Sequence, residues 1–356
     1  MNKIAFVCDT PYQLFVMLSL ILSEESIWYC KKDLYIDIRR SKKSNMYKYF
    51  KNIFNENIFD NIYVVNSLST YYKGLNKVEW LFPRLSLFLG SDFKIPFKKK
   101  YDSIWVSGPF MLQRNIINFF KPQKIMFFED GTGSYIGRIG IDLLNNYGKL
   151  LQKITKRGPM HIYPTESYVF CPNLYVGDYK KIIKKIDFPN NEIHYFNNIF
   201  GGTRCDSYSG KKIIYLSQPI SDDLLVTDEK ILDIISLYFK NTIVRPHPQD
   251  VDKNFKNLEV DDSKVMWEII CQEYITEDSI LIGMCSTAQI SAKLIYDKEP
   301  YIIFTHCLYN SDRNQRFNTL INSVKSIYTN KEKIIVPRTY EELLMNIERL
   351  VNKKKD

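Results

Sequence analysis

Three short strings, far apart in the chain, hold residue types that could do chemistry: Phe128-Glu129-Asp130-Gly131, Arg245-Pro246-His247-Pro248 and Cys285-Ser286-Thr287-Ala288. Each follows a run that reads as a buried parallel strand, at Lys124 to Phe128, Asn241 to Val244 and Ser279 to Ile282. An α/β protein places its ligand at the carboxyl ends of such strands. A carboxylate, an imidazole and a hydroxyl pair facing one crevice suit the movement of a sugar from a nucleotide to an alcohol.

Side chains alternate along a strand, so only one of Glu129 and Asp130 can face that crevice. A carboxylate held beside Phe127 or Phe128 has its pKa raised and accepts a hydroxyl proton more readily; the alternative is a carboxylate that caps the next turn. Gly131-x-Gly133-x-x-x-Gly137 departs from a dinucleotide fingerprint, because its last spacing is one residue too long and two acids stand where pyrophosphate would approach. These glycines are expected to let backbone come close to a bulky substrate. His247 is stiffened by Pro246 and Pro248, and its imidazole suits hydrogen bonding and proton donation to a departing phosphate. Of the other histidines, 161, 194 and 306, His306 also follows a strand and competes with it. Ser286 and Thr287 open a helix, where they either cap it or grip a phosphate. Glu268 could accept ribose hydroxyls, with Glu273 and Glu277 as competitors.

The elements that must position these groups repeat a short β-rich pattern: Lys3 to Cys8, Leu34 to Ile38, Ile62 to Val65, Ser103 to Val106 and Ile125 to Phe128. Pro11 begins the first helix, whose apolar run Leu14 to Leu22 is too short to span a bilayer and reads as core. A helix is expected around Gly177 to Ile186, and an interdomain linker at about 190 to 210. A second domain then reads as strand Ile213 to Leu216, helix Asp228 to Tyr238, strand Thr242 to Arg245 and helix Val265 to Tyr274. It continues as strand Ile280 to Ile282, helix Ala288 to Tyr296 and strand Tyr301 to Phe304. The expected fold class is α/β, two Rossmann-like domains facing a central cleft in the glycosyltransferase B architecture. The domains are residues 1–200, which bind the acceptor and carry the base, and 201–356, which bind the nucleotide. The last helix, Tyr340 to Asn352, is free on this reading to pack back on the N-terminal domain.

Length supports two cores: the chain has 356 residues and a formal net charge of +9, which suggests an anionic partner such as a nucleotide, a phosphorylated glycan or an acidic membrane surface. Seven cysteines without a Cys-x-x-Cys pair read as reduced thiols in a cytoplasmic protein. No basic leader precedes Ile4-Ala5-Phe6-Val7, so a signal peptide is not expected, and any membrane contact would be peripheral. There is no phosphate-loop signature, no His-Glu-x-x-His, no Gly-x-Ser-x-Gly and no aspartate cluster suited to Mg²⁺. Aromatic residues do not interleave with the basic runs as a nucleic-acid binder requires.

Taken together, Glu129-Asp130-Gly131, His247-Pro248 and Ser286-Thr287 match, in order and domain placement, motifs shared by related bacterial sialyltransferase families. The chain resembles those of glycosyltransferase family 52, which modify lipooligosaccharide or capsular glycans, from Ile4 to about Tyr301. The resemblance implies CMP-sialic acid as donor, a galactose-terminated acceptor, inversion at the anomeric carbon, and no metal or other cofactor; an α2,3 bond is expected, with α2,6 as the alternative left open. Carried onto this chain, Asp130 is the general base and His247 protonates or stabilises the departing phosphate. Ser286, Thr287, Ser217, Gln218, Pro248 and Glu268 face the donor, while Asp9, Thr10, Tyr12, Gln13 and Gly131 face the acceptor. Loop structure and helix capping are the competing roles for that last group. Two rivals stay open: a transferase of the same fold with another nucleotide-sugar donor, and a non-catalytic sugar-nucleotide-binding protein of capsule assembly. A homodimer and contact with the cytoplasmic face of the inner membrane also stay open.

Overall fold

The computed structural model describes residues 2–37, 46–65, 98–108, 111–131, 133–136, 164–175, 182–202, 205–219, 224–247, 250, 253–309 and 314–353. The chain divides into two compact units, Met1–Ile199 and Phe200–Asp356.

The N-terminal unit is built on strands β1 (Lys3–Cys8), β2 (Lys31–Asp37), β3 (Asn61–Val65), β4 (Ser103–Val106), β5 (Lys124–Phe128), β6 (Glu166–Val169) and β7 (Ile182–Lys185). They pair in the order β3-β2-β1-β4-β5-β6-β7, parallel throughout. β1 is buried on both faces from Ile4 to Cys8, as a parallel sheet covered by crossover helices requires. One face packs Ala5, Val7, Tyr35, Ile104, Val106 and Ile116 into a core. The helix Pro11–Ser23 starts at an N-cap, Thr10, with proline in its first turn, and buries every residue from Gln13 to Ile21. The apolar run Leu14 to Leu22 is thus core. Among the described residues no helix is long and apolar enough to cross a membrane.

The C-terminal unit holds β8 (Ile213–Leu216), β9 (Thr242–Arg245), β10 (Glu259–Val260), β11 (Ile280–Gly283), β12 (Tyr301–Phe304) and β13 (Ile334–Ile335), parallel in the order β10-β9-β8-β11-β12-β13. Its core gathers Ile213, Val244, Ile280, Ile282 and Ile303 from the sheet with Ile231 and Ile235 from the helix Leu225–Ser236. The reading that lets the last helix pack back on the N-terminal domain meets a different partner: Leu343, Ile347 and Leu350, its buried residues, join this core.

Two local expectations change. Residues 182–185 form an edge strand instead of the end of a helix, because Ile182-Ile183-Lys184-Lys185 pairs along Glu166–Val169; residues 177–181 lie outside the described residues. The stretch expected as a linker contains the helix Ile193–Phe200, whose Phe196 and Ile199 are buried.

Both sheets reverse their strand order beside their first strand, between β1 and β4 and between β8 and β11. The second reversal demands a glycine: a Cβ on Gly283 would stand 2.9 Å from the Leu216 carbonyl oxygen and 3.2 Å from Gln289 Cδ. The Leu216 carbonyl belongs to the backbone of an interior strand, and the buried Gln289 amide is held by its own hydrogen bonds, so neither yields cheaply. Gly283→Ala should therefore lower stability by about 1–3 kcal/mol, read as a lower midpoint in urea unfolding; an unchanged midpoint would refute this packing.

Candidate active site

At the carboxyl edge of the N-terminal sheet, Asp9 follows β1 and Glu129-Asp130 follow β5. Asp9 is 1% exposed and is braced across the strand reversal by Gln113, whose amide nitrogen donates to Asp9 Oδ2 at 3.2 Å and to Ser107 Oγ at 3.0 Å. Gln113 Oε1 in turn accepts from the Ser107 and Gly108 main-chain N–H groups. Gln13 is fully buried; its Oε1 accepts from Asp9 N at 2.7 Å and its Nε2 donates to Asp130 Oδ1 at 2.9 Å. Asp9 and Gln13 are therefore buried braces, a correction to their expected role as acceptor contacts. Thr10 caps the first helix through Gln13 N, the competing role considered for it.

The adjacent acids divide as strand alternation requires. Glu129 is fully buried and receives Tyr12 Oη at 2.5 Å, the Tyr135 hydroxyl and Phe170 N at 2.9 Å. Asp130 is only partly buried, and its main-chain N–H donates to Ser134 Oγ at 2.8 Å. Gly131 turns the chain there at φ 64°, a left-handed conformation that favours glycine, and its carbonyl accepts from Ser134 N. The turn leaves Asp130 as the accessible carboxylate. Gly137 lies outside the described residues.

The C-terminal unit presents its groups at the same edge of its own sheet. Gln218, after β8, and Cys285, after β11, exchange hydrogen bonds: Gln218 Nε2 donates to Cys285 O at 3.1 Å and Gln218 Oε1 accepts from Cys285 N at 3.4 Å. Ser286 caps the helix Thr287–Tyr296, accepting from Ala288 N at 3.2 Å, while Gln289 Oε1 accepts from Ser286 N at 3.0 Å. The Gln289 N–H donates to Ser286 O. With these amides engaged in the cap, the Ser286 and Thr287 hydroxyls are the better candidates for holding an anion. A capping oxygen accepts, and its own O–H can still donate.

His247 follows β9 and is partly buried; burial pushes its imidazole below the usual histidine range, and the Asp250 carboxylate opposes that shift. Pro248 lies outside the described residues. Its rival His306 is fully buried, with Nε2 2.9 Å from Asn318 Oδ1, so it fits a structural place. Arg245 pairs with Asp261 and donates to Val265 O at 2.6 Å, which anchors the approach to the helix Trp267–Glu273. Glu268 sits in that helix's first turn, 6% exposed, with Ser291 Oγ at 3.5 Å. Its competitors lie toward the amino edge of the sheet: Glu273 ends the helix, and Glu277, before β11, pairs with Lys333 at 2.5 Å. A cavity of about 770 Å³ opens at that amino edge, lined by Tyr208, Lys212, Tyr274 and Tyr301 among others, and holds none of the motif residues. Strand polarity favours the opposite edge for ligand chemistry.

Residues missing from the sequence reading are Gln113, Tyr135, Gln289, Asp250 and Lys253. Asp250, three residues beyond His247, and Gln289, three beyond Ser286 in a Ser-x-x-Gln capping box, had local signals. All seven cysteines are free thiols, and among the described residues no group of three metal-ligating side chains gathers.

Burial raises the Glu129 pKa from 4.5 to about 7; the hydrogen bonds from Tyr12, Tyr135 and Phe170 hold it down and the Asp130 charge adds to the rise. With a folded value above the unfolded one, its contribution to stability is whole below pH 4.5 and is lost as pH climbs through 7. Glu129→Gln removes this slope. Between those limits the wild type should lose on the order of 3 kcal/mol more stability than the variant, measured by denaturant unfolding across pH; parallel profiles would mean that Glu129 ionises normally.

The fold has solved counterparts. The kitacinnamycin glycotransferase aligns with a TM-score of 0.54 at 11% identity, covering 99% of this chain and 91% of its own. A sialyltransferase from Photobacterium damsela gives 0.51 at 12%, covering 94% and 81%. A UDP-N-acetylglucosamine 2-epimerase from Listeria monocytogenes gives 0.51 at 9%, covering 99% and 88%. At such identities the likeness is one of fold, the glycosyltransferase B type. No curated protein matches the chain. The profile of the alpha-2,8-polysialyltransferase (POLYST) family matches residues 4–304, a span that includes all three motifs. The motif resemblance pointed to family 52; what the match establishes is a sialyltransferase family, and the chain belongs to the alpha-2,8-polysialyltransferase family.

Proposed function

We propose that this glycosyltransferase moves sialic acid from CMP-sialic acid to a glycan hydroxyl, with inversion and without a metal. The family match over residues 4–304 carries the reading, together with motif groups that all follow parallel strands. CMP leaves as a dianion from a singly charged phosphodiester, so one unit of charge develops on the leaving phosphate. His247 and the hydroxyls of Ser286 and Thr287 meet that charge. With its pKa lowered by burial, His247 enters neutral and donates one N–H; the growing phosphate charge then favours its protonated form. The sugar centre becomes oxocarbenium-like, and Asp130 takes the acceptor proton late.

Asp130 is the base on this reading because an acceptor must reach it, whereas Glu129 is enclosed by three donors. Tyr12 then holds Glu129 and is only indirectly concerned with the acceptor. Glu268, Ser217 and Gln218 shape the nucleotide side. The acceptor divides into two readings. A galactose-terminated acceptor, with α2,3 linkage expected and α2,6 as its alternative, follows from the motif resemblance; a sialic-acid-terminated acceptor with α2,8 linkage follows from the family match and suits the net charge of +9. Work in the cytoplasm, on lipooligosaccharide or capsule precursors near the inner membrane, completes the proposal.

Purified protein given CMP-sialic acid should release CMP only when acceptor is present. Product on sialyllactose but not lactose selects the α2,8 reading, and the reverse selects the galactose-terminated acceptor. Tight CMP binding with no transfer to any acceptor would support a non-catalytic protein instead. Asp130→Asn should cut transfer by about 10²–10⁴-fold with CMP affinity kept, and full activity in that variant would move the base role to Glu129. His247→Ala should lower turnover and CMP affinity together.

A further inference from the structure

A chain of buried and half-buried polar contacts runs from Asp228 through Lys253 and Ser217 to the main chain of His247. Asp228, 1% exposed, receives Tyr215 Oη at 2.7 Å and Tyr309 Oη at 3.0 Å, and pairs with Lys253 Nζ at 2.9 Å. Lys253 Nζ also donates to Ser217 Oγ at 3.2 Å. The Ser217 hydroxyl donates in turn to Asp250 Oδ2, and the same oxygen accepts the His247 main-chain N–H at 3.3 Å. Asp250 N closes the turn on His247 O at 2.8 Å. One carboxylate thus grips both the β8 loop and the β9 loop.

We infer that Asp250 is a positioning residue for His247: its carboxylate, held by Ser217 under the buried Lys253–Asp228 pair, fixes the turn that carries the imidazole and supplies the negative charge that lets it take a proton. The charges grouped around this turn are balanced for that purpose. Lys253 neutralises Asp228, its nearer partner, and Arg245, two residues before His247, is committed to Asp261. Asp250 is then a carboxylate acting on the ring: its charge opposes the effect of burial on the imidazole. As leaving-group charge develops on the donor phosphate, an imidazole so disposed gains its proton more easily than one merely buried. The link to catalysis rests on the CMP-donor reading above; the link between Asp250 and the charge of His247 does not.

The test uses the whole chain in three forms: wild type, Asp250→Asn and Asp250→Glu. Asn keeps an oxygen for Ser217 and the His247 N–H, so folding should persist, as thermal unfolding will verify. Followed by NMR of labelled histidine rings, the His247 midpoint should fall to lower pH in Asp250→Asn and return toward the wild-type value in Asp250→Glu. Turnover of CMP-sialic acid should drop about ten- to a hundredfold in Asp250→Asn, its pH profile should shift in the same direction, and Glu should restore part of the rate. A folded Asp250→Asn protein with an unmoved His247 midpoint overturns the inference, and so does unchanged turnover. A wild-type protein silent with CMP-sialic acid defeats the donor reading, and the ring titration then decides on Asp250 by itself.

Discussion

Parallel pairing is the constraint from which the rest follows. Every strand pair described in either sheet runs in one direction, so each strand needs a crossover and each sheet gathers its outgoing loops along a single edge. The strand order reverses beside β1 and beside β8, and at those places neighbouring crossovers diverge and leave room between the loops. Asp9 and Ser107 flank the first gap, and Gln218 and Cys285 flank the second. In both, a glutamine side chain ties the two loops together. A charged or polar group placed there is held by the fold's own polarity, not by sequence neighbours.

The acid pair after β5 shows how one sheet end serves two needs. Turning one carboxyl inward would be costly if it were left bare, and Glu129 escapes that cost through Tyr12, Tyr135 and Phe170 N. These contacts draw together the first helix, the turn after Gly131 and the end of β6. Asp130 meanwhile keeps its position through Gln13 and Ser134. The buried acid therefore organises the setting of the partly buried one.

Much of this was legible in the sequence because parallel strands covered on both faces are nearly continuous apolar runs: Ile4 to Val7 and Ile213 to Leu216 announce themselves. Exposed or very short edge strands do not. Ile182–Lys185 is mostly exposed and half lysine, and Ile334–Ile335 is two residues long. The motif residues could be placed at strand ends from sequence, but their partners could not. Tyr12 and Glu129 are 117 positions apart, as are Gln13 and Asp130. Residues such as Asp9 and Gln13, polar and beside a strand end, look available in sequence, and only packing reveals that they are buried and held by Gln113 and Asp130. Glu268 was separated from Glu273 and Glu277 by the direction of its helix, which composition does not record.

The exchange of hydrogen bonds between Gln218 and Cys285 copies, with a side-chain amide, the pairing that two peptide groups make in a sheet. It adds a side-chain rung to the β8–β11 ladder three residues beyond its last backbone pair, Tyr215 with Ile282. Recombination between relatives would feel this rung. A loop after β8 imported without its companion after β11 would arrive with half of an amide pair, so the two loops behave as one heritable module although 67 residues separate Gln218 from Cys285.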